Sequence, residues 1–329
     1  MTAREVAITH FVRSNACAML LGLLALVLTF VGVSFDAVTV PDGNRGLAFA
    51  SPNSWFAPDS TVAFLFNLSL LGLTCWAMWF MTMQFNILRA YSVSYIGLFA
   101  VMTAAMPMLS GALQGGTLLA PVMLCAMMLL YSCYNSPDTS SRRVFMAFFL
   151  VSSGTLVQYG FTVYLPILLV GCAQMRVLNM RSIIAGVIGT ATPWWLWWAF
   201  AGTPLNTPQF VFELESTSLL EALPSVAAIG VTLSVAFIAG FFASAKIYSF
   251  NARARAFNGL LSVVLAVTAL MLFVDFTNFI FYVTLLNALA AMHVTHFDEI
   301  YADKRAYLLM LMLPPAYTAI FLWRVASPA

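Results

Sequence analysis

Charge is scarce in this chain, and the scarcity excludes more than any motif does. Only 8% of the 329 residues are Asp, Glu, Lys or Arg, against roughly 25% in water-soluble domains. A globule so poor in charge cannot cover its surface against water. Histidine is also rare, limited to His10, His293 and His296. Cys17, Cys75, Cys125, Cys133 and Cys172 fall singly in apolar runs without metal-type spacing, so they imply neither a disulfide framework nor a zinc site and read as small core residues. There is no glycine-rich phosphate loop, nucleophile elbow, kinase signature or HExxH helix. The basic turns NSPDTSSRR and NARARAFN are plain cytoplasmic turns suited to lipid phosphates, and no nucleic-acid partner is expected.

What is present is apolar. Hydrophobic residues make up 62% of the chain, and about 20 consecutive ones cross a bilayer. The runs are 16–34, 61–85, 95–113, 117–134, 144–158, 161–175, 183–202, 219–247, 260–276, 279–292 and 307–323. They predict an all-α, polytopic transmembrane helical bundle of about 11 spans, a single integral membrane domain over residues 1–329. The opening basic residues Arg4 and Arg13 imitate a signal peptide, but the run after them is too long and no small-x-small site follows, so it is the first span. A short surface helix is expected before it, with Val6, Phe11 and Val12 toward lipid.

Orientation follows from the cations, because short cytoplasmic loops collect Lys and Arg. With the N-terminus inside, twelve of the 14 cations fall inside and only Arg45 and Arg324 outside. The C-terminus is then outside. Two polar outer loops result, 35–60 and 203–218, and the first is turn-rich, with three prolines, Asp42-Gly-Asn and the pair Trp55–Phe56. Ser218-x-x-Glu221 fits a capping box opening the next helix.

Two intervals are too short for ordinary hairpins. Only 32 residues separate Arg143 from Arg176, and 33 separate Gly259 from His293. Helices of roughly 15 residues reach about 22 Å, short of the ~30 Å hydrocarbon core. Their turns carry Ser152, Ser153, Gln158 and Tyr159 in one case and Asp275, Thr277 and Asn278 in the other, and polar groups at that depth must be buried in protein or face water. A cavity open to the outer side is the expectation. Between the hairpins lies Thr-Pro-Trp194-Trp195-Leu-Trp197-Trp198, either an interface anchor or an aromatic platform for a substrate.

A carboxylate in an apolar run is a functional hypothesis by default, which singles out Asp275. Asp36, at the outer end of the first span, is the second candidate. Together across a cavity they would suit a divalent cation, or one would serve as general base. Arg45 suits a phosphate, Asn278 is three residues from Asp275 and within reach of a hydrogen bond to it, and Gln158 and Tyr159 of the other hairpin turn are candidate substrate contacts along with it. On the inner side His293 and His296 share a helical face near Asp298 and Glu299 and are the candidate metal ligands, without the catalytic HExxH spacing.

The motifs HFVRSNA, YLPILLVGCAQMRVLNMRS and GTATPWWLWW resemble an uncharacterised family of Bacteroidota inner-membrane proteins. The layout is also similar to the GT-C glycosyltransferases, which implies polyprenyl-phosphate sugars as donors, the bacterial cytoplasmic membrane as location, and Asp36 in the place of that family's catalytic loop aspartate. Here the loop lacks the family's paired acidic motif, and no soluble domain follows. The reading is a membrane protein handling a lipid-linked or amphiphilic substrate at an outer cavity, with a lipid-linked sugar as its partner molecule. The alternatives are a transporter or flippase, and a non-catalytic scaffold subunit whose small residues Gly186, Gly189, Gly230, Ser234 and Gly240 serve helix packing.

Overall fold

The computed structural model describes residues 3–35, 46–56, 60–85, 93–136, 140–202, 205–206, 219–246, 251–301 and 304–326. Among them there is no strand. Seven helices are long and apolar enough to cross a membrane: α2 (Asn15–Ser34), α3 (Thr61–Phe85), α9 (Met180–Ala201), α10 (Leu219–Lys246), α11 (Ala252–Val274), α12 (Phe279–Tyr301) and α13 (Lys304–Ala326). The other apolar segments are shorter: α4 (Ser94–Ala104), α5 (Pro107–Ser110), α6 (Gly115–Tyr131), α7 (Ser141–Val157) and α8 (Tyr164–Gln174). A small helix α1 (Ala3–Val12) precedes them all. Of the eleven expected spans, seven therefore correspond to helices long enough to cross among the described residues, and the other four fall on helices shorter than a full crossing.

Side chains at the boundaries explain where several helices begin and end. Ser14 accepts from Cys17 N at the start of α2, Asn179 from Ser182 N at the start of α9, and Asn251 from Ala254 N at the start of α11. Gly202, at φ +63°, closes α9 in the left-handed conformation that glycine adopts freely. Between α4 and α5, Met106 is forced extended (φ −113°, ψ 93°) before Pro107, and the passage breaks there.

Burial sorts the helices into layers. In its apolar window α12 is 94% buried, whereas α9 is 17% buried and α3 22%. α12 is therefore the axis of the bundle, and α2, α3 and α9 form part of its rim. Their outward residues are large and apolar, among them Met19, Leu23, Phe30, Leu65, Trp76, Ile184 and Val187. Water does not tolerate continuous surfaces of this kind and lipid does.

The second predicted short hairpin is full-length. α11 and α12 have 23 residues each, about 34 Å of helix. The segment NARARAFN, expected as a turn, is helical from Ala252 because Asn251 caps it, and α12 continues through both histidines to Tyr301. The first hairpin is short as expected. α7 has 17 residues and α8 has 11, joined by a 3-10 turn over Tyr159–Val163. At the N-terminus Val12, expected to face lipid, is 2% exposed, and its carbonyl accepts from Ser94 Oγ at 2.8 Å. Gly186 and Gly189 lie against α7 as packing residues, but Gly230 has open space where a side chain would stand and Ser234 is exposed.

The helix ends form two chemically distinct faces. Arg13, Arg142, Arg143, Arg176, Arg181, Lys246, Arg253 and Arg255 stand where α2, α7, α9 and α11 begin and α8 and α10 end. Contacts tie this basic end together: Arg13 Nε to Asp298 Oδ2 at 2.8 Å, Ser140 Oγ to Ser182 Oγ at 3.2 Å, and Lys246 Nζ 4.1 Å over the Tyr301 ring. The opposite end carries the turns after α5, α7 and α11 and the described part of the first loop.

Candidate functional site

Three turns meet at that opposite end, two of them through glycines packed against the third. A β-carbon on Gly115, at the start of α6, would collide with the Gln158 side chain. One on Gly116 would come within 2.7 Å of the Phe281 carbonyl. One on Gly160 would come within 2.5 Å of the Phe281 ring and 3.1 Å of the Tyr282 hydroxyl. Turns this close bring polar side chains from distant parts of the chain onto one spot.

That spot is Asp275, half-buried at the C-terminal end of α11. Tyr159, from the α7–α8 turn, donates toward both carboxylate oxygens at 3.1 and 3.2 Å. Asn278 Nδ2 donates to Oδ1 at 2.7 Å, and the Tyr282 hydroxyl donates to Oδ2 at 2.9 Å. Asn278 also donates to the Tyr159 hydroxyl at 2.9 Å, closing a triangle. No cation pairs with Asp275 among the described residues. Three neutral donors serve a group with about four acceptor positions, since Tyr159 has one hydrogen for two oxygens. About one position is left for an incoming O–H, N–H or cation.

At the same end an open apolar cleft of about 450 Å³ lies between α7 and α9, lined by Phe49, Phe149, Ser153, Leu156, Pro193, Leu196, Trp197, Phe200 and Ala201. Its roof is the first loop, which descends onto the end of α7: Leu47 N donates to Thr155 O, and Ala48 N and Phe49 N donate to Leu156 O. Gly46 permits this, because a β-carbon there would strike the Leu156 and Val157 carbonyls. Asn206 N donates to Leu47 O at 2.7 Å, joining the second loop to the first. The last turn of α7 connects cleft and carboxylate, for Leu156 lines the one and Tyr159, three residues on, binds the other.

The sequence-predicted residues divide accordingly. Asp275, Tyr159 and Asn278 are brought together. Gln158 is buried beside them at 4% exposure, against Gly115. The tryptophans turn to two faces: Trp194 Nε1 donates to Thr155 Oγ1 at 2.8 Å and Trp197 meets the Phe49 ring edge-on at 4.9 Å, whereas Trp195 and Trp198 are exposed. Ser152, expected to line a cavity, is buried and donates to Thr190 O; Ser153 does line the cleft. Asp36, Arg45 and Ser218, the first residue of the expected capping box, lie outside the described residues. His293 and His296 are both buried in α12, and the nearby Asp298 is held by Arg13. Among the described residues no group of three His, Cys, Asp or Glu is placed to hold a metal ion. Cys133 is no ready nucleophile, since burial pushes its thiol up despite the nearby Arg143 guanidinium.

Sequence reasoning missed Tyr282, and a signal was present. It follows Asn278, the residue before α12, by four positions, about one helical turn. It also missed Asn67, wholly buried in α3, whose amide donates to the Leu109 and Ser110 carbonyls at 3.0 and 2.9 Å and so satisfies the broken turn after α5. The Gln114 amide donates to Met108 O in the same turn. Comparison with family models, curated proteins and solved structures finds no match to this chain.

Proposed function

We propose that this membrane protein takes the polar head of an amphiphilic, lipid-linked molecule at Asp275 and its apolar part along the α7–α9 cleft, in a bacterial cytoplasmic membrane. The reading includes eleven passages with the basic end cytoplasmic, so that the carboxylate opens toward the outer leaflet. The observation that carries it is a partly exposed carboxylate held by three neutral donors with an acceptor position to spare; an apolar cleft of ligand size at the same end, reached along the chain from Tyr159 to Leu156, supports it. In glycosyl transfer from a polyprenyl-phosphate sugar, Asp275 takes the proton of the acceptor hydroxyl as that oxygen attacks the sugar carbon, and the lipid phosphate leaves. Transfer from a radiolabelled polyprenyl-phosphate sugar by the purified protein in proteoliposomes tests this. Asp275→Asn keeps the shape of the group and should lower turnover about 100-fold or more, the usual contribution of a general base. Undiminished transfer by that variant removes Asp275 from the chemistry.

One observation favours transport instead. Along buried α12 stand Tyr282, then Asn287 within reach of the Thr232–Tyr317 hydroxyl pair, then His293 and His296, so polar groups recur from one end of the bundle to the other. A transporter would move its substrate into sealed vesicles without a co-reactant. An enzyme would not.

A further inference from the structure

Four arginines at the basic end occupy positions that local physics disfavours. Arg142 and Arg143 lie in the first turn of α7 and Arg181 in the first turn of α9, where the helix dipole repels cations. Arg176 follows α8 with φ +59°, and its neighbours make the paired bonds of a Schellman motif: Arg176 N to Ala173 O and Val177 N to Cys172 O, both 3.0 Å. Glycine is the usual occupant of that left-handed position.

The four converge. The Ser140–Ser182 hydrogen bond brings the starts of α7 and α9 together, Arg143 Nη1 donates to Ser132 O at 2.6 Å, and Asn135 N donates to Met175 O at 3.0 Å, tying the Ser132–Asn135 turn to the end of α8. All four are exposed, and none forms an ion pair among the described residues. Three other cations at this end are matched: Arg13 by Asp298, Lys246 by the Tyr301 ring, and Arg253 by the Phe257 ring. Sorting of positive charge to one side of a membrane would be met equally well by loop positions.

We infer that this arginine cluster is a binding site for the phosphate of an anionic glycerophospholipid. Guanidinium groups bind phosphate oxygens in pairs, and an anion here also meets two helix N-termini. The neighbouring surface selects a lipid over a free ion. Leu178, Met180, Ile183 and Ile184 are exposed apolar residues flanking Arg181, placed to meet acyl chains while the arginines hold the head group. The site lies at the other end of the bundle from Asp275 and does not depend on the role given to that residue.

Thermal unfolding of the full chain in detergent tests this, with added phosphatidylglycerol, phosphatidylcholine or sodium phosphate. Phosphatidylglycerol alone should raise Tm by several degrees. The triple variant Arg142→Gln, Arg143→Gln, Arg181→Gln should lose most of that shift, while Arg253→Gln with Arg255→Gln should keep it. Arg176→Gly covers the case in which the triple variant does not fold: with its backbone strain relieved it should be the more stable without lipid, yet gain less from phosphatidylglycerol. Equal shifts with phosphatidylcholine, an equal shift with inorganic phosphate, a full response in the triple variant or in Arg176→Gly, or equal loss in the Arg253/Arg255 pair would each overturn the assignment.

Discussion

At the scale of single residues, Asp275 matters because of what surrounds it. A carboxylate taken out of bulk water needs either a counter-cation or several aligned dipoles, and here the dipoles come from Tyr159 on the α7–α8 turn, Asn278 just before α12 and Tyr282 in its first turn. The cluster therefore has a positioning role as well as a chemical one, since it fastens the α7–α8 turn to the start of α12. Replacing Tyr282 by Phe removes one donor and little else. It should destabilise the protein by ~1.5–3 kcal/mol, the range for a hydrogen bond to a charged group, read by denaturant or thermal unfolding in detergent. Tyr159→Phe should cost at least as much, because that hydroxyl also accepts from Asn278. If both variants unfold like the wild type, water rather than tyrosine solvates the carboxylate, and the turns are held by glycine-mediated packing alone.

Among the helices, the α7–α9 pair is the clearest case of sequence dictating geometry. The two run parallel, with Ser140 against Ser182, Ser152 against Thr190 and Thr155 against Trp194. Gly189 allows the close approach, since a β-carbon there would sit 2.5 Å from the Phe145 carbonyl. Gly189→Leu should force the helices apart and cost several kcal/mol, as overpacking does. Gly230→Leu on α10, where nothing lies within 4 Å, should be neutral or mildly stabilising because it improves helix propensity. Thermal unfolding of the two variants side by side separates packing glycines from lipid-facing ones. That separation was not legible in the sequence, where all such positions look like small residues in apolar helices. The class of fold was legible, because hydrophobic length needs no partner to be read. So was the shortness of α7 and α8, fixed by arginines on either side. The length of α11 was misread because Arg253 and Arg255 look like loop residues, while the structure places them in the first turn of a helix that Asn251 caps. Asp275, Tyr159 and Asn278 stood out singly as polar groups in apolar surroundings. Their meeting depends on Gly115, Gly116 and Gly160, whose role exists only in three dimensions.

Across the whole molecule, the contrast between the two ends follows from the membrane itself. Polar turns at one end are roofed by the loop over Gly46–Phe49, which hydrogen-bonds to the end of a 17-residue helix only about 25 Å long, less than a ~30 Å hydrocarbon core. The parity of the termini cannot report on this, because seven full crossings and eleven passages are both odd. The informative position is the broken turn after α5, where Gly111 and Ala112 remain partly exposed in otherwise buried surroundings. In a background with the five cysteines replaced, Ala112→Cys in sealed vesicles should react with a membrane-impermeant maleimide from the side opposite to Arg253→Cys. Its rate should fall below that of a fully exposed thiol, because Ala112 is only partly exposed. Labelling of both from one side would mean that α4 to α6 enter and leave by the same face without opening to the other. The three-turn junction at Asp275 would then be sealed within the bundle, and a substrate could reach it only through the lipid-facing cleft between α7 and α9.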